Sequence, residues 1–222
     1  MKVSVIIPVL FEAERINDAV EQVRRYADDT EIIVVDGDPA GSTLSATADT
    51  RIVHLIAPPG RGSQLAAGVR AAHGDLLLLL HADTLLPADA FASLRRAAAA
   101  GADWGSFRLG IDAIGAGWRL MERIIDLRCR LFSLPYGDQA IFLTRDAIER
   151  IGGIPEIPLM EDVALVRSLK CCRLRGILLP ERVRTSPRRW QRDGIVRRSL
   201  KNWWLLLRYL AGTPPERLAR EY

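Results

Sequence analysis

The sequence predicts an α/β protein built on a mostly parallel, doubly wound sheet with a helical C-terminal extension, and three observations carry that expectation. Short, almost uninterrupted apolar runs alternate with segments of helical period through the first half of the chain. Such runs have the character of strands covered on both faces rather than half-exposed ones. Gly- and Pro-rich breakers close the runs, and polar side chains gather just beyond them.

In chain order, residues 3–10 (VSVIIPVL) form the first expected strand. Residues 12–27 follow as a helix, with Ile16, Ala19, Val20, Val23 and Ala27 on one face. Residues 31–36 (EIIVVD) are a second strand, closed by Gly37-Asp38-Pro39-Ala40-Gly41. Residues 51–56 are a third, ended by Pro58-Pro59-Gly60. A helix over 63–72, a fourth strand over 75–80 (DLLLLL) and an Ala-rich helix over 88–100 complete the alternation. The rhythm then changes: strand at 103–109, helix at 118–131, short strand at 140–144, helix at 162–171. Residues 177–179 and 182–185 read as separate extended pieces, and 194–210 as a longer helix. The expected organisation is one domain over 1–190, with 191–222 a basic amphipathic helical extension packed on or continuous with it.

A chain of 222 residues, 49% of them hydrophobic, can bury a sizeable core, and a net charge of +4 is too small for a disordered protein. Its three cysteines, Cys129, Cys171 and Cys172, form no CxxC pair, which argues against a disulfide framework or a zinc site. A reducing, cytosolic setting fits that usage. No apolar run approaches the ~20 residues needed to span a bilayer, and no basic leader precedes the first strand. The charge is lopsided: from Val163 to Tyr222 there are 13 Arg and 2 Lys against 4 acids, +11, leaving −7 on the rest. A basic tail of this kind meets an anionic partner or forms a solvated face.

In an open parallel sheet, ligands bind beyond the carboxyl ends of the strands. Here that rim collects Glu12, Asp36, Asp38, Arg61, His81 and Asp83. A dinucleotide site would need G-x-G-x-x-G after the first strand, and a P-loop GxxxxGK[ST]; the chain has neither. Asp83, just past a buried strand, has the chemistry to hold a hard divalent cation on nucleotide phosphates. Asp83-Thr84 equally suits the start of the following helix. Glu161-Asp162 reads either as a helix start or as a general base facing the rim. Tyr136-Gly137-Asp138-Gln139 is a further polar turn.

Six segments in order, IIPVLFEAERI, IIVVDGD, PGRGSQLAAGV, LLLLLHADT, YGDQAIF and LMEDVALVRSL, resemble family 2 glycosyltransferases of the GT-A fold over roughly residues 3–190. The HADT form and short length are most similar to small bacterial radical-SAM/selenodomain-associated transferases. The resemblance implies a nucleotide-diphosphosugar donor, UDP- or GDP-linked, its base and ribose held by Pro8, Val9, Glu12 and Asp36, with Arg61 approaching the nucleotide or its diphosphate. The family's DxD motif falls on His81-Ala82-Asp83, which implies Mn²⁺ or Mg²⁺ on Asp83. Its ED motif falls on Glu161-Asp162, making Asp162 the base that deprotonates an acceptor hydroxyl in an inverting displacement. Asp138, Gln139 and Glu161 fall on the acceptor side, and Arg189-Trp190 matches the RW of QxxRW. The chain departs from the pattern at His81, where the motif has Asp, at Phe11, where many members have Asn, and at Asp38-Pro39-Ala40.

Residues 194–210 mix Arg197, Arg198, Lys201 and Arg208 with Trp203, Trp204 and several Leu. That composition suits peripheral contact with an anionic membrane and a lipid-linked acceptor, at the inner membrane surface. A buried or homodimer-facing helix has the same composition, and the apolar surface of 118–131 would also serve a homodimer. Two further readings are a nucleotide-sugar-binding or membrane-associated protein without turnover, and a sugar nucleotidyltransferase. Nucleic acid is the least supported partner, because no recognition module accompanies the basic tail.

Overall fold

The computed structural model describes residues 1–187, 190 and 194–221. Its elements in order are β1 (Val3–Val9), α1 (Ile16–Tyr26), β2 (Glu31–Asp36), β3 (Val53–Ile56), α2 (Arg61–Ala71), β4 (Leu76–Leu79), β5 (Thr84–Leu85) and α3 (Ala90–Ala99). There follow β6 (Trp104–Ile111), α4 (Ala116–Phe132), β7 (Ile141–Thr144), α5 (Arg145–Ile151), α6 (Glu161–Cys171), β8 (Gly176–Thr185), α7 (Ile195–Leu210) and α8 (Pro215–Glu221). Two single 3₁₀ turns, Leu44–Ala46 and Gly137–Gln139, sit in the loops.

The strands form one sheet in the order β3-β2-β1-β4-β7-β6-β8-β5. The first four are parallel, as the buried apolar runs predict. The sheet is mostly parallel, as expected: β6 and β8 keep the sense of the first four strands, and β7 and β5 run against it. β7 runs antiparallel to β4 and β6, while β8 runs parallel to β6. This reversal has a consequence for the site. Ile141 at the start of β7 pairs with Leu79 at the end of β4, so the turn 136–139 lies on the rim where β4 delivers His81 and Asp83. β8 has the same sense as β4, so its end at Thr185 reaches that rim too.

Side-chain alternation along the strands splits the core into two layers. Val5, Ile7, Val34 and Leu78 face α1 and α3, packing with Val20, Val23, Phe91 and Leu94. Ile6, Ile33, Val35 and Leu77 face α2, α5 and α6, packing with Leu65, Val69, Ile148 and Leu169. Full burial of each such side chain is worth roughly 1.5–3 kcal/mol, so both layers favour the same register.

Two expectations failed for local reasons. Pro180 separates the two extended pieces at 177–179 and 182–185, yet β8 runs through it. The ladder to β6 shifts register between Ser106 and Arg108, opposite Leu178 and Arg182. Pro180 falls in that bulge, where no backbone N–H is required. Asp83-Thr84 does not start a helix: Thr84 pairs with Thr185 in β5, and α3 begins only after Asp89.

Candidate active site

The rim loops are held by polar side chains turned inward. Gln64 of α2 is buried and donates from Nε2 to the carbonyls of Val9 (2.6 Å) and Val35 (2.8 Å), tying together the ends of β1 and β2. Asp36, fully buried, accepts from the backbone N–H groups of Asp38 (2.9 Å), Thr43 (2.9 Å) and Leu44 (3.4 Å). Its carboxylate therefore organises the loop after β2 rather than lining the cleft beside it. The N-terminus of α2 is seated by a close approach: a Cβ on Gly62 would lie 2.6 Å from the Pro155 carbonyl oxygen and 2.7 Å from that of Ile157. That contact brings Arg61 to the start of α6.

Two cavities open side by side on the rim. The larger, 790 Å³, is lined by Pro8, Val9, Glu12, Arg61, His81, Ala82 and Asp83, together with Arg197, Arg198 and Lys201 of α7. The smaller, 120 Å³, is bordered by Arg61, His81, Asp83 and Arg198, which it shares with the first, and by Tyr136, Asp138, Glu161, Asp162, Trp190 and Asn202. Arg61 joins them, with Nε 3.1 Å from Oε1 of Glu161 and Nη1 3.5 Å from Nε2 of His81.

Glu161 and Asp162 open α6 after Met160, whose left-handed backbone (φ 65°) strains a non-glycine residue at the rim. Glu161 is buried; desolvation raises its pKa, and the Arg61 guanidinium partly offsets that rise. Asp162 accepts the Val163 N–H on Oδ1 (2.7 Å) and the Gly137 N–H on Oδ2 (2.8 Å). Each oxygen keeps a further lone pair for a ligand. Glycine at 137 permits this approach, since a Cβ there would lie 3.0 Å from His81 Nε2.

Asp138 is the most perturbed carboxyl of the site. Burial pushes its pKa from 3.8 up to about 6, Arg128 opposes the shift, and the negative charge of Asp162 adds to it. Its Oδ1 is buried and has no hydrogen-bond partner among the described residues. The folded protein thus holds this proton more tightly than the unfolded chain, so stability is lost as pH rises from about 4 to about 6. Asp138→Asn removes that dependence. Its stability relative to the wild type should rise by roughly 2 kcal/mol between pH 4 and pH 7.5, read by urea unfolding at both values. An unchanged difference would mean that Asp138 is not desolvated in solution.

A family model described as glycosyl transferase family 2 matches residues 4–152. The chain belongs to glycosyl transferase family 2. Its fold is that of GT-A glycosyltransferases, as the solved structures it is similar to show. A mannosyltransferase from Pyrobaculum calidifontis, in complex with GDP-Man and Mn²⁺, aligns with TM-score 0.62 at 20% identity, over 82% of this chain and 56% of that one. S. aureus TarS aligns with TM-score 0.63 at 15% identity, over 84% of this chain and 61% of that one. TarS in complex with UDP-GlcNAc aligns equally well, TM-score 0.63 at 14% identity, over 84% and 58%. The chain thus spans less than two thirds of these relatives. No curated protein sequence matches it.

Set on this family 2 frame, Pro8, Val9, Glu12, Arg61, His81, Ala82 and Asp83 meet in one cleft, and Asp83, Asp138, Glu161, Asp162 and Trp190 in the pocket beside it. Two of the expected site residues border neither cavity. Asp36 spends its carboxylate on the loop amides, as above. Gln139 is fully buried, donating to the Phe107 carbonyl (2.9 Å) and accepting from Arg128 (3.1 Å). Arg189 lies outside the described residues. Sequence reasoning missed the place of Arg197, Arg198 and Lys201; their clustering on one helix was visible, but which neighbour it faced was not. Gln64 and Tyr136 were also missed, and only their positions within rim motifs could have flagged them.

Proposed function

We propose that this family 2 member transfers a sugar from a UDP- or GDP-linked donor to an acceptor hydroxyl, with inversion and with Asp162 as general base. One observation carries the reading: Asp83 and Asp162 border a single pocket that opens onto a cleft lined by Arg61, Arg197, Arg198 and Lys201. A diphosphate in that cleft meets cationic donors, whose charge-assisted hydrogen bonds are roughly twice as strong as neutral ones. Asp162, fixed by two amides, takes the acceptor's proton as its oxygen bonds to the anomeric carbon. The bond from that carbon to the diphosphate oxygen breaks, and its electron pair leaves with the nucleoside diphosphate. Attack opposite the leaving group inverts the centre. The unpartnered Oδ1 of Asp138 is placed to accept from a second hydroxyl of the acceptor.

The donor set also fits a divalent cation. Among the described residues no three His, Cys, Asp or Glu side chains form a metal cage. Mg²⁺ at a phosphate site needs only one or two carboxylates, with substrate phosphates and water completing the shell, and Asp83 supplies one. Mn²⁺ or Mg²⁺ held by Asp83 and the donor would neutralise charge on the departing diphosphate. The neighbours with GDP-Man and Mn²⁺ and with UDP-GlcNAc support this donor class.

In this reading residues 1–190 form the transferase domain and 191–222 a basic extension that closes the donor cleft. The HADT motif supports placement among the small radical-SAM/selenodomain-associated transferases. No helix among the described residues is long and apolar enough to cross a membrane. The exposed apolar faces of α4 and α7 support peripheral docking on the cytoplasmic face of an anionic membrane, with homodimerisation through those faces as the alternative use. The test of the activity is release of UDP or GDP from a panel of nucleotide sugars, with membrane lipid extract as acceptor. Consumption of one donor is expected; consumption of none would leave a binding protein without turnover.

A further inference from the structure

Beside the two polar cavities lies a third space of different character. It is a groove of 540 Å³ between α4 and α7, within the roughly 300–1,000 Å³ that takes a small ligand. Its walls are Leu120, Met121, Ile124 and Ile125 from α4, and Leu200 and Trp203 from α7. Its inner end is formed by Tyr136, Asp138, Trp190 and Asn202, the same four residues that border the pocket of Asp162. The groove is therefore continuous with the reaction pocket rather than a separate patch.

The surroundings point to an amphiphile. Leu120, Ile124, Leu127 and Leu131 recur along one face of α4, each half or more exposed, and Leu200, Trp204, Leu207 and Leu210 are equally exposed on α7. Cationic side chains flank this apolar surface: Arg123 and Arg130 on α4 are exposed, and Arg197, Arg198 and Lys201 lie on the cleft side of α7. The groove's own lining holds the guanidinium of Arg128, and the pocket at its inner end is bordered by Arg61 and Arg198, an arrangement that complements a ligand with an apolar chain and an anionic head. A second copy of this chain matches less well, since both helices would bring arginines against arginines.

We propose that the α4–α7 groove holds the hydrocarbon chain of an anionic lipid acceptor and presents its hydroxyl to Asp138 and Asp162, with the negative charge of the head toward Arg128 and Arg198. This rests on the transferase reading above and names its acceptor class. The groove removes the chain from water while the head stays in the polar pocket, which orients the acceptor hydroxyl before any contact with the donor.

The probe is dodecyl phosphate below its micelle concentration, followed by tryptophan fluorescence, with inorganic phosphate and dodecyltrimethylammonium as comparisons. Saturable binding of dodecyl phosphate, at least tenfold tighter than either comparison, is expected. Ile124→Glu and Leu120→Glu sit at exposed positions and should weaken it at least tenfold without loss of the folded state. Their UDP or GDP binding, measured in the same preparations, should match the wild type. Binding indifferent to both substitutions, or equal binding of inorganic phosphate, overturns the groove assignment. A wild-type dimer in sedimentation that Ile124→Glu dissolves, without dodecyl phosphate binding, gives the groove to a second copy instead. Loss of nucleotide binding in the wild type itself would strike the transferase reading and not the groove.

Discussion

Asp162→Asn should lower kcat by about 10²–10⁴-fold, the usual contribution of a positioned general base. The amide keeps the shape of the side chain, and its oxygen can still accept the Gly137 N–H that Asp162 accepts at 2.8 Å. What it cannot do is take up a proton from the acceptor. Donor affinity should therefore stay close to that of the wild type, because Asp162 borders the smaller pocket and not the donor cleft. The check is product formation under saturating donor, paired with calorimetry of the nucleotide. Transfer at the wild-type rate would remove Asp162 as the base. A fall in donor binding of the same size would mean that the side chain holds the loop at Gly137 and has no chemical part.

The second large effect is expected from Asp83→Ala. Asp83 borders both cavities, so in the proposed reading it stands where the diphosphate and the sugar would join. Its position in the donor motif is occupied on the other side by His81, whose ring lies against Arg61 rather than supplying a second carboxylate. In the proposed reading a metal would depend on a single protein carboxylate, and its removal should cost at least about tenfold in Mn²⁺-dependent nucleotide affinity. Titrations of Asp83→Ala with and without Mn²⁺ should coincide. Arg61, Arg197, Arg198 and Lys201 remain, so a weaker binding that does not depend on metal should persist. A variant with the full Mn²⁺ response would show that the ion, if used, is held elsewhere.

The strands were legible because burial on both faces leaves near-continuous apolar runs, and β1, β2 and β4 carry such runs. α5 was not, since its seven residues bury only Ala147 and Ile148 and it starts directly from the strand residue Thr144, which also caps it. β8 was broken at Pro180 because a sequence does not say where a bulge will excuse a missing N–H. On the rim the residue types were readable but their directions were not. Asp36 and Asp162 are both carboxylates at element ends; the loop amides of 38–44 draw one inward, and the Gly137 turn leaves the other at the pocket. Gln139 looked like a polar rim residue and is instead the centre of a buried network with Arg128 and Phe107. The basic residues of α7 were visible in composition, which left a membrane-facing and a buried or dimer-facing helix both open. The fold sets Arg197, Arg198 and Lys201 along the larger rim cavity and leaves the apolar side of the same helix facing outward. Long-range placement of that sort depends on how α7 returns across the sheet, which no local pattern encodes.

The central claim is that the cleft beyond β1 and β4 is a nucleotide-diphosphosugar site, and calorimetric titration with UDP and GDP, with and without Mn²⁺, tests it most directly. Saturable binding of one of the two nucleotides, strengthened by Mn²⁺, is the predicted result, and it would identify the donor base at the same time. Absence of binding for both, with or without metal, would contradict the claim.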